Sequence, residues 1–271
     1  MFYLGIDIGS LSCDAVLIDE DARALAGAVV PTGARNRDAI RRATDEVLRA
    51  AGVSRDQVAA VVSTGYGRDR VDERLAAVTE ITCHARGIRA LYPATRILID
   101  IGGQDSKCML LTNEGKIVNF AMNDKCAAGT GRFLEAMARA LQVDIDEMSG
   151  LDAGAAGTVT ISSMCTVFAE SEVVSLIAEG AAVNEIVRGL NRAIAARTVS
   201  LLKRIAPRHA ELPVAMSGGV ARNSGVVHAL GESLGCQLLV PDSPDTVGAL
   251  GAALIARERA HLSQPAPTSS R

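Results

Sequence analysis

The chain has no tryptophan, and aromatic residues make up only 3% of its 271 positions. A core without large rings must be built from Ala, Val, Ile and Leu, within a hydrophobic content of 48%. That composition suits an α/β layered protein and argues against an aromatic-rich β-sandwich. A basic excess is also missing: the net charge is −3, which argues against general nucleic-acid binding. No apolar run approaches the ~20 residues that span a bilayer. The opening "MFYLGIDIGS" lacks the basic n-region and small-residue cleavage site of a signal peptide. A cytoplasmic protein without membrane contact is therefore expected. There is no Walker A pattern, no weighty G-x-G-x-x-G signature and no C-x2-C pair. The four histidines (84, 209, 228 and 261) mark no evident site.

What is present is a series of buried-strand patterns ending in glycine turns. "YLGIDI" (3–8) reads as a strand turning at Gly9 and Ser10 into "CDAVLID" (13–19), a hairpin. Residues 36–52 place Ile40, Ala43, Val47 and Leu48 at helical spacing before Gly52. "VAAVVSTG" (58–65) is a further strand. A second round starts with "RILIDI" (96–101), a Gly102-Gly103 turn, "KCMLL" (107–111) and "KIVNFA" (116–121). A helix follows Cys126, carrying Phe133, Leu134, Met137 and Leu141 on one face, and a long helix runs over about 184–205. "VAMSGG" (214–219) leads into a helix over about 223–234, "CQLLVP" reads as a late strand, and "VGALGAALIARERA" as a closing helix.

"GIDIGS" (5–10) and "IDIGGQDS" (99–106) repeat one pattern, with Asp7 and Asp100 at matching positions. The duplication implies two similar lobes facing a common cleft. The expected lobes are 1–95, with the closing helix 246–262 packing back on it, and 96–245, which carries Cys126 and Cys165. The tail 263–271, "SQPAPTSSR", reads as disordered.

A glycine hairpin turn lets backbone N–H groups approach an anion closely. An aspartate beside it can hold Mg²⁺, usually through water, where the metal bridges phosphates. Two such turns would clamp one polyphosphate. A third turn, "SGGVARN", between a strand and a helix, would serve the nucleoside side with help from the helix dipole.

Six cysteines occur in this chain, and in a cytosolic setting disulfides are not expected. "NDKCAAGTGRFLE" places Cys126, and "SSMCTVFAESEV" places Cys165, just ahead of helical patterns. Each thiol could be a packed small residue, a nucleophile or a metal ligand. No histidine lies near either one in sequence, which disfavours the nucleophile. Cys13, Cys108 and Cys236 sit in or beside strands and are expected to pack.

The order "GIDIGS", "LIDIGGQDSK", "MSGGVARN", "VGALGAALIA" resembles the phosphate, connecting and adenosine motifs of the actin, sugar-kinase and heat-shock-chaperone ATPase superfamily. "GYGR" at 65–68, "IDIGGQDSK" and the two cysteine motifs are more closely similar to activator ATPases of 2-hydroxyacyl-CoA dehydratases and the related ATPase subunits of benzoyl-CoA reductases. The likeness covers about 1–260. It implies a two-lobed actin-like ATPase fold, with duplicated ribonuclease-H-like lobes around a nucleotide cleft. It also implies a homodimer with one 4Fe-4S cluster at its interface, held by Cys126 and Cys165 of each subunit. Two ligands per subunit, doubled by a two-fold axis, supply the four thiolates such a cluster takes. Four thiolates also suit zinc. Helix N-terminal N–H groups are expected to donate to both sulfurs. "TCHARG" (82–87) is also similar to the family, with Cys83 and His84 read as structural.

On the phosphate side, the resemblance implies that Asp7 and Asp100 organise Mg²⁺. Backbone groups of Ser10, Leu11, Ser12, Cys13 and Asp14, with Gly102 and Gly103, would contact the phosphates of ATP or ADP. Gln104 would orient the attacking water. Gly218, Gly219 and Asn223 would flank the α-phosphate and adenosine. Glu170, one turn beyond Cys165, is a candidate link between nucleotide state and that helix. One departure matters: Asp14 stands where many relatives carry Lys, so either backbone contacts suffice or Lys107 compensates. The implied function is ATP-driven donation of a low-potential electron to a partner iron–sulfur acyl-CoA dehydratase, with ferredoxin or flavodoxin as electron source. The alternatives are an integral subunit of a benzoyl-CoA reductase and a small-molecule kinase.

Overall fold

The computed structural model describes residues 1–162, 165–206 and 212–263. They fall into two units, Met1–Leu91 with the segment from Thr246, and Tyr92–Asp245. The expected disordered tail lies outside the described residues, except Ser263, which closes a helix.

In the first unit, β1 (Phe2–Ile8) pairs antiparallel with β2 (Ser12–Ile18), and β2 with β3 (Ala24–Pro31). Helix α1 (Asn36–Ala51) then leads to β4 (Val58–Gly65), which lies parallel to β1, and to the two-residue β5 (Ala76–Ala77). The sheet order is β3-β2-β1-β4-β5. Helices α2 (Glu80–Leu91) and α8 (Val247–Ser263) complete the unit.

Side chains alternate across the pleat. Leu4, Ile6, Ile8, Ala15 and Leu17 face α1 residues Ala39, Ala43 and Val47. Tyr3, Val16, Ile18 and Val62 face Ala249, Ala252 and Ala253 of α8. Both faces are covered, which is why "YLGIDI" is apolar almost throughout. The fit on the α8 side is made by missing side chains. A Cβ on Gly5 would strike the Ala249 carbonyl, one on Gly251 the Cys83 carbonyl, and one on Gly87 the Val247 carbonyl.

The second unit repeats the scheme. β6 (Ile97–Ile101) pairs antiparallel with β7 (Ser106–Leu111), and β7 with β8 (Ile117–Asn123). Three helices follow: α3 (Gly131–Leu141), the short α4 (Met148–Ala153) and α5 (Thr166–Ala178). Next come α6 (Val183–Lys203), then β9 (Val214–Ser217) parallel to β6, and α7 (Ser224–Leu234). The order β8-β7-β6-β9 matches β3-β2-β1-β4 of the first unit. Phe133, Leu134, Met137 and Leu141 of α3 enter one core with Ile186, Leu190 and Ile194 of α6 and Ile97, Ile99 and Ile101 of β6.

"CQLLVP" does not form a strand. Leu239 alone makes a parallel bridge to Ala215 beside β9. Its carbonyl accepts from Met216 N–H and its N–H donates to the Val214 carbonyl, at 2.9 Å each. Pro241 follows two residues on and has no N–H to extend the ladder.

Candidate functional site

The repeated Gly turns are built alike. Gly9 N–H donates to the Ser12 carbonyl at 2.9 Å, and Gly102 N–H to the Asp105 carbonyl at 3.0 Å. At the first turn Ser10, Leu11 and Ser12 are half-buried, while Cys13 and Asp14 continue into β2 fully buried. Thr32, just past the end of β3, donates from Oγ1 to the Gly9 carbonyl and fixes the turn. At the second, Gly102 and Gly103 are half-buried and Gln104 stands exposed at the tip. An exposed amide at a turn tip is free to meet a ligand from solvent.

The acids at the strand ends are buried. Asp7 lies 3.4 Å from His84 Nε2, and His84 is itself buried. Asp100 Oδ1 accepts from Ser217 Oγ at 2.7 Å. In register, Asp7 faces Asp14, and Asp100 faces Lys107. Asp14 Oδ2 accepts from Ser12 Oγ at 3.1 Å. Lys107, considered above as a compensating cation, is committed within its own unit: its ammonium lies 2.7 Å from Asp105 and 3.4 Å from Asp100. Asp105 and Ser217 went unassigned from sequence, although "GGQDSK" contains the acid–base spacing that signals such a pair.

In the third turn, Gly218 has φ +86, and a Cβ there would strike the Ile101 carbonyl. Its N–H donates to the Pro244 carbonyl at 2.9 Å. Gly219 begins the short 3-10 turn that follows. Asn223 is the N-cap of α7; its Oδ1 accepts from Gly225 and Val226 N–H. Its Nδ2 lies 3.5 Å from Asn191 Oδ1.

The six thiols separate by environment. Cys13, Cys83 and Cys108 are fully buried, and burial pushes each thiol up to about 12. Burial also raises Cys236. Cys126 is half-buried and Cys165 is exposed. Cys165 is the N-cap of α5 with extended backbone, φ −88 and ψ 137, as expected for a residue opening a helix. Cys126 differs from the expectation. It lies five residues before α3, and the first two N–H groups of α3, on Gly131 and Arg132, donate instead to the Gly102 and Gly103 carbonyls at 2.9 Å. The positive charge near Cys126 comes from α6, where Arg197 Nη2 is 4.0 Å from Sγ. The Arg197 stem crosses Gly129, whose φ is +85 and whose Cβ would meet Arg197 Cδ at 3.5 Å. Sequence could not pair residues this far apart. Glu170 is exposed.

Helix α5 carries exposed apolar side chains next to Cys165. Val167 and Phe168 are 67% and 68% exposed, and Val174 and Ile177 of the same helix are exposed too. Only Ala169 and Val173 of α5 are buried. Separately, Val118, Phe120 and Met122 are exposed on β8, a strand at the sheet edge. Among the described residues no three His, Cys, Asp or Glu side chains gather as a metal site. No helix among them is long and apolar enough to cross a membrane.

Residues 4–256 match the BadF/BadG/BcrA/BcrD ATPase family. The activator of lactoyl-CoA dehydratase from Anaerotignum propionicum is 45% identical over 96% of this chain and 99% of its own. The solved activator of the 2-hydroxyisocaproyl-CoA dehydratase from Clostridium difficile, with bound ADPNP, superposes with a TM-score of 0.92 at 42% identity, covering 97% of each chain. A ROK family glucokinase from Streptomyces griseus, at 18% identity, gives a TM-score of 0.59 over 95% of this chain and 100% of its own, a likeness of fold alone. The fold is that of actin-like ATPases and sugar kinases.

Proposed function

Because this chain belongs to the BadF/BadG/BcrA/BcrD ATPase family, we propose that it is the ATP-hydrolysing activator of a 2-hydroxyacyl-CoA dehydratase. In this reading it hands the dehydratase one low-potential electron per ATP-driven cycle. Near-full-length likeness to two such activators supports it. The observation that carries it is the sorting of the thiols: Cys165 is exposed and Cys126 half-buried, whereas Cys13, Cys83 and Cys108 are fully buried and burial raises Cys236. A 4Fe-4S cluster needs four thiolates from a protein whose remaining cysteines are sequestered or raised in pKa. Cys126 and Cys165 of each of two subunits would hold it, and when bound it supplies a one-electron store. The exposed apolar face of α5 beside Cys165 fits a homodimer contact, since a stable interface needs a desolvated apolar centre.

For the nucleotide, the turns at 9–12 and 102–105 are the proposed phosphate contacts, with Gly218 and Gly219 on the nucleoside side. Asp7 and Asp100 would organise Mg²⁺ through water, a role suited to buried carboxylates at strand ends. Gln104 would orient the attacking water from its exposed tip. The partner is an iron–sulfur acyl-CoA dehydratase, the electron source a ferredoxin or flavodoxin, and the setting the reducing cytoplasm.

The test is anaerobic purification followed by iron, sulfide and EPR analysis, with and without ATP. Expected are about four iron and four sulfide per dimer, and loss of both in Cys126→Ala and Cys165→Ala. Zinc without iron, or full cluster content in Cys165→Ala, would overturn the reading. Isolation in fixed stoichiometry with reductase subunits would move the chain to an integral subunit instead.

A further inference from the structure

Thr130 occupies the N-cap of α3 yet makes no side-chain cap hydrogen bond to its own helix. An N-cap threonine ordinarily accepts from the N2 or N3 amide. Here the hydroxyl points elsewhere. It lies 2.6 Å from the Ala127 carbonyl and 3.1 Å from the Gly103 carbonyl, and the residue is fully buried. Both partners are acceptors, while a hydroxyl carries one proton. It can satisfy one carbonyl fully at a time, with the Ala127 contact the shorter.

The two carbonyls belong to different functional segments of one unit. Gly103 is in the proposed phosphate turn. Ala127 follows Cys126 directly and also accepts from Thr130 N–H at 3.0 Å. Asn123 Nδ2 donates to the Cys126 carbonyl at 3.1 Å, tying the Cys126–Ala127 peptide to β8. The first amides of α3 are bonded to Gly102 and Gly103. So the turn, the helix start and the cysteine segment form one hydrogen-bonded chain, with Thr130 at its branch point.

We propose that Thr130 is a positioning residue that couples the Gly102–Gly103 turn to the Cys126 segment. A shift of the Gly103 carbonyl changes which acceptor holds the hydroxyl proton. That moves the Ala127 peptide, and with it Cys126. A branch point with two arrangements is what coupling between sites requires. The inference deepens the activator reading and rests on it for the role of Cys126, but not for the linkage itself.

Hydrogen exchange of the full-length protein, with ADP or ADPNP and Mg²⁺, tests the linkage without any need for iron. With ADPNP, exchange in 102–106 is expected to slow, and exchange in 126–134 to change in parallel by roughly fivefold or more, the usual span of coupling between sites. In Thr130→Val the response at 102–106 should persist while that at 126–134 is lost, and Thr130→Ser should restore it. In cluster-loaded protein the same variants should lose and regain the ADPNP-dependent change in the EPR signal, scaled to iron content. A Thr130→Val response equal to wild type overturns the proposal. Should that variant not fold, the wild-type comparison decides: protection confined to 102–106 overturns it. Coupled exchange, where anaerobic purification yields zinc and no iron, supports the linkage while sinking the activator reading.

Discussion

Asp100 and Lys107 face each other across the β6–β7 pair, and Lys107, 3% exposed as a residue, holds its ammonium 3.4 Å from Asp100 and 2.7 Å from Asp105. At the matching register of the first unit, Asp7 faces a second acid, Asp14. The duplication thus conserves the strand-end aspartate and varies what stands opposite. A buried ammonium needs its counter-charges, because the desolvation cost is recovered only through close, hydrogen-bonded partners.

Asp105→Ala is therefore expected to destabilise the protein by about 3 kcal/mol, the lower end of the cost of breaking a buried pair, because Asp100 stays 3.4 Å from the ammonium. Asp100→Ala should cost less, because its contact is longer and Asp105 remains. Urea unfolding of both variants checks the order. Equal stability to wild type in Asp105→Ala would show that the pair does not anchor the turn.

The thiols predict both a labelling pattern and a pH dependence. Brief treatment of the native, cluster-free protein with an alkylating reagent should modify Cys165 first and Cys126 next, leaving Cys13, Cys83 and Cys108 untouched by peptide mass mapping. Burial pushes those three thiols up to about 12 from the ordinary 9.0. A raised folded pKa means the native state holds the proton more tightly than the unfolded chain. Their contribution to stability is thus complete below pH 9 and is lost as pH rises from about 9 toward 12. Replacing Cys108 with Ala should flatten that alkaline decline in a pH series of unfolding midpoints.

The apolar face of α5 predicts self-association. If the proposed dimer forms through this helix, replacing Val167 and Phe168 together by Ser should weaken it at least tenfold, as removing interface anchors costs upward of ~1.4 kcal/mol. Sedimentation of the cluster-free and cluster-loaded protein reads this. An unchanged dimer would place the subunit contact elsewhere.

Gly251→Ala should be severely destabilising, because a Cβ there meets the Cys83 backbone, which cannot move aside as a side chain could. Overpacking of this kind costs about 1–3 kcal/mol or more. Gly150→Ala, where a Cβ meets nothing within 4 Å, is the control. Thermal unfolding of the two separates close packing from a general intolerance of substitution.

Sequence by itself determined the strand–turn repeats, because an apolar run buried on both faces followed by glycine leaves few alternatives. It also determined the helices over 36–52 and after Cys126, whose apolar spacing matches the turn of a helix. It singled out Cys126 and Cys165 among six cysteines through their flanking motifs. Only tertiary structure decided what surrounds them. Arg197 stands 71 residues from Cys126 in the chain, and the Thr130 hydroxyl reaches a carbonyl 27 residues away. Only the fold reduced "CQLLVP" to a single bridge, since β-pairing depends on an edge that the strand itself does not encode. It likewise engaged Lys107 with two acids and turned Asn223 to its own helix. Periodicity and glycine turns are local properties written in consecutive residues. Partners of buried polar groups are set by which segments pack together, and that is fixed only when the whole core forms.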